Sequence, residues 1–190
     1  MGVDLFLGHA EFTGKNTVSV NGKTLNFKKA CIATGGRPYI PEIEGLKNVK
    51  FCTSDNIFNL TELPKSMLIV GSGPIGCELG QGFARLGTEV TMLERGNHFL
   101  PREDADCAVY VQEQMKQDGV NFLFMTKPTK FEQVGDVIRV TYESNDTTSV
   151  TKDFDQVLIA TGRVPNVENL GLANAGVESE KAGVTVNEYL

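Results

Sequence analysis

Residues 66–95, SMLIVGSGPIGCELGQGFARLGTEVTMLER, constrain this chain more than any other stretch. The continuous apolar run MLIVG suits a central parallel strand buried on both faces. It is followed at once by Gly71-x-Gly73-x-x-Gly76 and then by a helical pattern, PIGCELGQGFARLG. The glycines have separable tasks: Gly71 permits a tight turn, Gly73 lets the backbone approach a ligand closely, and Gly76 lets helix and strand pack with no Cβ between them. Pro74 stands at the first helical position, with φ preset and no amide to offer. Ile75 and Gly76 are therefore expected to present N–H groups to phosphate oxygens at the helix N-terminus. Gly80, one turn on, continues the close face, and Gly87 ends the helix.

The same strand-then-helix order repeats. EVTMLE predicts a second strand, and EDADCAVYVQEQMKQDG a second helix whose acidic start and late Lys116 match the helix dipole. Strand-helix-strand-helix order implies a parallel sheet with right-handed crossovers. After NFLFM the period changes: KFEQV, Gly135-Asp136, VIRVTYE and a polar turn predict an antiparallel ribbon, and DQVLIATG returns as a buried strand. Upstream, VDLFL, TVSV and TLNF predict short strands, the last two joined by an Asn21-Gly22 turn of type I′. Residues 31–34 predict a further buried strand. Residues 36–66 read as a connector with a helical turn near 54–59, capped by Ser54 and Asp55. One internal echo brackets the central segment: ACIATGGRP and VLIATGRVP each take the chain out of a strand at a sharp glycine turn.

Glu94 closes the second strand roughly 20 residues after the glycine loop, where an acid accepts hydrogen bonds from an adenosine ribose. A carboxylate there repels a 2′-phosphate, so NADH is expected over NADPH; Arg95 is the neighbour that could turn toward such a phosphate. Cys77 reads as a small buried residue facing the sheet rather than an activated thiol. His9 and His98 lack triad partners at motif spacing. The four cysteines form no CxxC or CxxxxC pair, which favours a reduced, cytosolic setting and no metal. A net charge of -6 gives no electrostatic reason to approach nucleic acid or an anionic membrane. No apolar run approaches the roughly 20 residues of a membrane span.

Taken together, GHAEFTG, CIATGGRP, TSDNIFNLTELPKSMLIVGSGPIGCELGQGFARLG, LERGNHFLPRED and LIATGRVPN resemble, in kind and order, the pyridine nucleotide-disulfide oxidoreductase family of dihydrolipoamide dehydrogenase, glutathione reductase and mercuric reductase. The resemblance implies an α/β fold: a Rossmann-like parallel sheet with an antiparallel β-ribbon, flanked by remnants of a split FAD-binding domain. It assigns residues 1–60 to a partial FAD-domain segment, 61–162 to the NAD(P)-binding domain and 163–190 to a return segment toward the FAD domain. The loop of Gly71, Ser72, Gly73, Pro74, Ile75, Gly76 and Glu78 would hold NAD(P)H, with Glu94 and Arg95 at the adenosine ribose and Gly162 on the nicotinamide side. Ala10, beside His9, would meet the FAD adenine, and Thr34 with Gly35 the rest of that cofactor. Glu78 matches the family glutamate that pairs with a lysine near the flavin, and Pro74 stands where some members carry an aromatic lid.

The family's FAD fingerprint, CxxxxC redox pair, Gly-Asp flavin motif and dimerisation domain have no counterpart in the 190 residues. The resemblance therefore implies a segment of a homodimeric, FAD-dependent NAD(P)H oxidoreductase whose electrons pass to a disulfide or a metal ion, the segment alone not being competent for turnover. The alternative from a different class is a stand-alone NAD(P)-binding or sensing module without redox turnover.

Overall fold

The computed structural model describes residues 2–144 and 149–189, so the polar turn expected after VIRVTYE lies outside the described residues. In chain order the strands are β1 (Ala10–Gly14), β2 (Thr17–Val20), β3 (Lys23–Asn26), β4 (Gly36–Pro38) and β5 (Ser66–Val70). Helix α1 (Pro74–Arg85), β6 (Glu89–Leu93), helix α2 (Ala105–Gln117), β7 (Asn121–Leu123), β8 (Thr126–Val134), β9 (Val137–Ser144), β10 (Ser149–Phe154) and β11 (Gln156–Ile159) follow. The last are β12 (Arg163–Pro165), β13 (Ser179–Glu180) and β14 (Gly183–Val184). They belong to two compact units, Met1–Arg37 with Arg163–Leu190, and Pro38–Gly162.

In the first unit β1, β2 and β3 form an antiparallel meander. Its hairpin turns at Asn21 (φ 50°) and Gly22 (φ 78°), the paired positive angles that a type I′ turn demands. Two expected strands are absent. Residues 3–7 are irregular, with Val3, Leu5 and Leu7 exposed, and residues 31–34 are irregular with Cys31 and Thr34 exposed. An apolar run becomes a strand only with a ladder partner, and among the described residues neither run has one. Thr34 instead donates its hydroxyl to the Asn166 carbonyl at 2.6 Å, and the Asn166 amide donates to the Gly35 carbonyl at 3.0 Å. The two echoing Ala-Thr-Gly segments do meet, because β4 pairs with β12. Arg37 reinforces the pairing with a two-pronged contact to Glu168, at 3.0 and 2.8 Å.

The second unit has three layers. Its middle is a parallel sheet in the order β11-β5-β6-β7. Because side chains alternate along a strand, each strand feeds two cores. Met67, Ile69, Val90, Met92 and Leu158 pack with Cys77, Ala108 and Met115 of the helices. Leu68, Val70, Leu93, Val157 and Ile159 pack with Phe131, Ile138, Val140, Tyr142 and Phe154 of an antiparallel sheet ordered β10-β9-β8. Sequence reading anticipates a two-stranded ribbon; the third strand, β10, is polar on most of its length and carries no periodic signal before Phe154.

Both helices end alike. The amides of Gly87 and Thr88 return to the carbonyls of Ala84 and Phe83, and those of Gly119 and Val120 to Lys116 and Met115. This is a Schellman ending, with Gly87 (φ 106°) and Gly119 (φ 96°) in conformations that suit glycine.

The connector is part of this unit rather than a free linker. It sends Leu46 and Val49 into the ribbon-side core and Cys52 and Ile57 into the helix-side core. Cys52 extends the sheet beyond β11, its amide donating to Val157 at 2.7 Å and its carbonyl accepting from Ile159 at 2.9 Å. The geometric boundary therefore falls between Arg37 and Pro38. The expected helical turn forms as a 3-10 turn, Ile57–Asn59, whose N-cap residue is Asn56 rather than Ser54 or Asp55. Asn56 accepts from the Thr53 amide at 2.7 Å, and the Thr53 hydroxyl accepts from the Asp55 amide at 3.3 Å.

Candidate functional site

Strand β5 feeds α1 and then β6 on one side, while β11 arrives on its other side. Such a reversal of direction opens a crevice outside the C-terminal strand ends, where ligands of open α/β sheets bind. The loop of residues 71–76 leaves β5 at this point, and Thr161 and Gly162 leave β11 beside it.

Within the loop the structure separates three reasons for glycine. Gly71 has φ 106°, and a Cβ there would stand 2.5 Å from the Ala160 carbonyl oxygen. At Gly76 a Cβ would collide with the Gly71 carbonyl. Gly73 is different: its φ of -75° and ψ of 176° suit any residue, and a Cβ would meet nothing within 4 Å. No constraint inside the protein calls for glycine there, whereas a ligand laid against the backbone would. Gly73 is also the N-cap of α1 and makes no side-chain cap, and the first return bond runs from the Cys77 amide to the Gly73 carbonyl at 3.0 Å. The amides of Ile75 and Gly76 precede that bond and sit at the positive end of the helix dipole. An open cradle facing uncapped amides fits a dinucleotide pyrophosphate.

Glu94 forms the floor. It is buried, and its backbone is held at both ends, the amide by the Leu123 carbonyl and the carbonyl by the Thr126 amide, each at 2.9 Å. Its Oε2 accepts from the Ser72 hydroxyl at 2.7 Å and the Ser72 amide at 3.2 Å, and its Oε1 from the Gly96 amide at 2.7 Å. Sequence reading places Glu94 near a ribose but misses that Ser72 reaches it across the loop. The available signal was a hydroxyl between the first two fingerprint glycines, two residues past the end of the adjacent strand.

Cys77 is buried beneath the loop, its thiol donating to the Ser72 carbonyl at 3.3 Å. Burial pushes this thiol up to about 12, and the charges of Glu78 and Glu94 add to the shift. It is therefore a protonated packing group at neutral pH, as expected from sequence, and not a nucleophile. Burial likewise raises Cys52.

Glu78 and Arg95 are exposed on the rim, and Gly162 (φ 126°) accepts from the Tyr39 amide at 2.9 Å, with open space where a Cβ would lie. The structure thus gathers Gly71, Ser72, Gly73, Pro74, Ile75, Gly76 and Glu94 into one place. Ala10, Thr34 and Gly35 belong to the other unit. Ala10 is committed to the β1–β2 ladder opposite Val20, and the Thr34 hydroxyl and Gly35 carbonyl are committed to Asn166. His9 bonds the Asn169 carbonyl through Nε2 at 2.7 Å. Among the described residues no group of three or more His, Cys, Asp or Glu side chains is placed to hold a metal ion, and no helix is long and apolar enough to cross a membrane.

The family model for pyridine nucleotide-disulphide oxidoreductases matches residues 1–190. The chain belongs to this family. Mercuric reductase of Staphylococcus aureus is 40% identical over 190 residues, covering 100% of this chain and 35% of that protein. Dihydrolipoyl dehydrogenase of Geobacillus stearothermophilus is 39% identical over 190 residues, covering 96% of this chain and 39% of that protein. Among solved structures, the HOCl-induced flavoprotein disulfide reductase RclA from Escherichia coli superposes with a TM-score of 0.85 at 31% identity, over 95% of this chain and 41% of that one. The chain thus spans about a third to two fifths of these relatives, which as oxidoreductases use FAD and NAD(P)H. A disulfide reductase relative with this superposition accounts for the three-layered unit: the parallel sheet, its two helices and the antiparallel cover.

Proposed function

We propose that the chain is the nicotinamide-dinucleotide-binding part of an FAD-dependent NAD(P)H oxidoreductase. Residues 38–162 supply the nucleotide site, and residues 1–37 and 163–190 are the flanking FAD-domain segments. The observation that carries this reading is Gly73, a glycine with an ordinary backbone conformation and open space beside it, in front of the uncapped start of α1.

In this reading the amides of Ile75 and Gly76 bind the pyrophosphate, and the Gly73 backbone lies against it. Glu94 accepts from the adenosine ribose and repels a 2′-phosphate, which favours NADH. Gly162 leaves room beside the nicotinamide, and Glu78, exposed on α1, takes the part of the family glutamate that pairs with a lysine near the flavin. The cofactors would supply hydride donation by the reduced nicotinamide and two-electron acceptance by the flavin, while the protein orients them. The electron acceptor of the whole enzyme is a disulfide or a metal ion, and the whole enzyme is a homodimer. Cys31, Cys52, Cys77 and Cys107 are all free and do not form its redox pair.

Calorimetric titration with NADH tests the site. Saturable binding is expected, and Gly73→Val should weaken it at least about tenfold, because valine fits the local φ and ψ but fills the cradle. A parallel titration with NADPH completes the test: absence of saturable binding of either nucleotide, or wild-type NADH affinity in the valine variant, would refute the proposal.

A further inference from the structure

Glu94 is 8% exposed and Ser72 is 0% exposed, so their hydrogen bonds lie out of solvent. A carboxylate offers about four acceptor positions. Three are occupied here, two on Oε2 by the Ser72 amide and hydroxyl and one on Oε1 by the Gly96 amide. The position left over is on Oε1. Gly96 approaches that oxygen so closely that a Cβ on it would stand 3.2 Å from Oε1. The carboxylate is thus clamped between two backbone segments, with one acceptor position still to fill.

We propose that Ser72, working with the Gly96 amide, is a positioning residue that sets the choice between NADH and NADPH by fixing the Glu94 carboxylate in this one orientation. The inference rests on the nucleotide-site reading above and deepens it. A freely rotating glutamate could swing aside for a 2′-phosphate. One held by three donors cannot, and it keeps its remaining lone pair where a single ribose hydroxyl can donate. Ser72 touches no nucleotide in this arrangement; it acts through Glu94. Its hydroxyl is a charge-assisted donor, and such bonds are the stronger kind.

The test is calorimetric titration of the 190-residue chain with NADH and, separately, NADPH, for wild type, Ser72→Ala, Glu94→Gln and the double variant. Ser72→Ala should weaken NADH about tenfold, the effect of losing a hydrogen bond to a charged group, while NADPH, for which the released carboxylate can swing aside, binds at least as well as to wild type. The alanine change should cost little further once Glu94 is glutamine, since the two residues then no longer act as a pair. Equal loss of both nucleotides on Ser72→Ala, or losses that simply add in the double variant, would overturn the proposal and mark Ser72 as structural. If circular dichroism shows that Ser72→Ala does not fold, Gly96→Ala carries the test. Crowding Oε1 from the other side should lower NADH affinity selectively, and equal loss or no loss would overturn the clamp. Wild-type protein that binds neither nucleotide would overturn the nucleotide-site reading and this inference with it. Wild-type binding of NADH with no selective effect in the variants overturns the inference alone.

Discussion

Two glycines on α1 provide a controlled measurement of how the site is seated. Gly80 and Gly82 both lie in the interior of the helix, so replacing either by alanine gains about 1 kcal/mol of helix propensity. They differ in what the new methyl meets. At Gly82 nothing lies within 4 Å, and the full gain should appear as stabilisation. At Gly80 the methyl would stand 2.8 Å from Ile69 Cδ1 and 3.0 Å from Met92 Cε, both on the helix-facing side of the sheet. Overpacking of a filled core costs about 1–3 kcal/mol. Both contacts are at the ends of side chains that can shift, so the lower half of that range applies, about 1–2 kcal/mol, which cancels or slightly exceeds the propensity gain. Gly82→Ala should therefore exceed Gly80→Ala in stability by about 1–2 kcal/mol. With a urea slope near 2 kcal/mol/M, the unfolding midpoints should separate by about 0.5–1 M. Far-UV circular dichroism in urea reads this directly. Lifting α1 off the sheet also displaces the Ile75 and Gly76 amides, so Gly80→Ala should weaken NADH binding while Gly82→Ala does not. Equal midpoints, or equal affinities in the two variants, would refute the argument that Gly80 is glycine because helix and sheet meet there.

Alkaline and acid titrations probe two further groups. Because Cys77 is raised from 9.0 to about 12, the unfolded chain releases its thiol proton first, and the stability present below pH 9 is lost as pH rises toward 12. Cys77→Ala should be less stable than wild type at neutral pH, with the gap closing by about 1.4 kcal/mol per pH unit above pH 9, as measured by urea unfolding from pH 8 to 11. A constant gap would contradict the buried, protonated thiol. Glu168 moves the other way, from 4.5 to about 2, chiefly through its hydrogen bonds with Arg37. The stability it contributes is present above about pH 4.5 and lost as pH falls toward 2. Glu168→Gln should flatten that part of the acid unfolding curve, and an unchanged curve would show that the Arg37 contact is too solvent-screened to matter.

The central unit was legible in the sequence because its signals are local. An apolar run, a glycine loop, a proline at the first helical position and a glycine after the last turn each act within a few residues. They place β5, α1 and β6 without reference to the rest of the chain. The same holds for the Asn21-Gly22 hairpin, whose two positive φ angles are a property of those residues. Where local signals were insufficient, a partner decided. Residues 31–34 have the composition of a buried strand but no ladder beside them among the described residues, whereas polar β10 is a strand because β9 offers it one. The connector residues 38–60 are rich in turn formers, and nothing periodic announces that Leu46, Val49, Cys52 and Ile57 enter two different cores.

The candidate site divides along the same line. The sequence by itself determined that a loop of glycines would open a helix at the end of a buried strand, with an acid closing the next strand, because backbone conformation and helix capping depend on nearest neighbours. Only the tertiary structure decided that Gly73 faces open space while Gly71 and Gly76 face carbonyls, and that Ser72 and Gly96 clamp Glu94. Those distances depend on how β5, β6 and α1 are packed against one another, and packing is settled by side chains that are far apart in the chain.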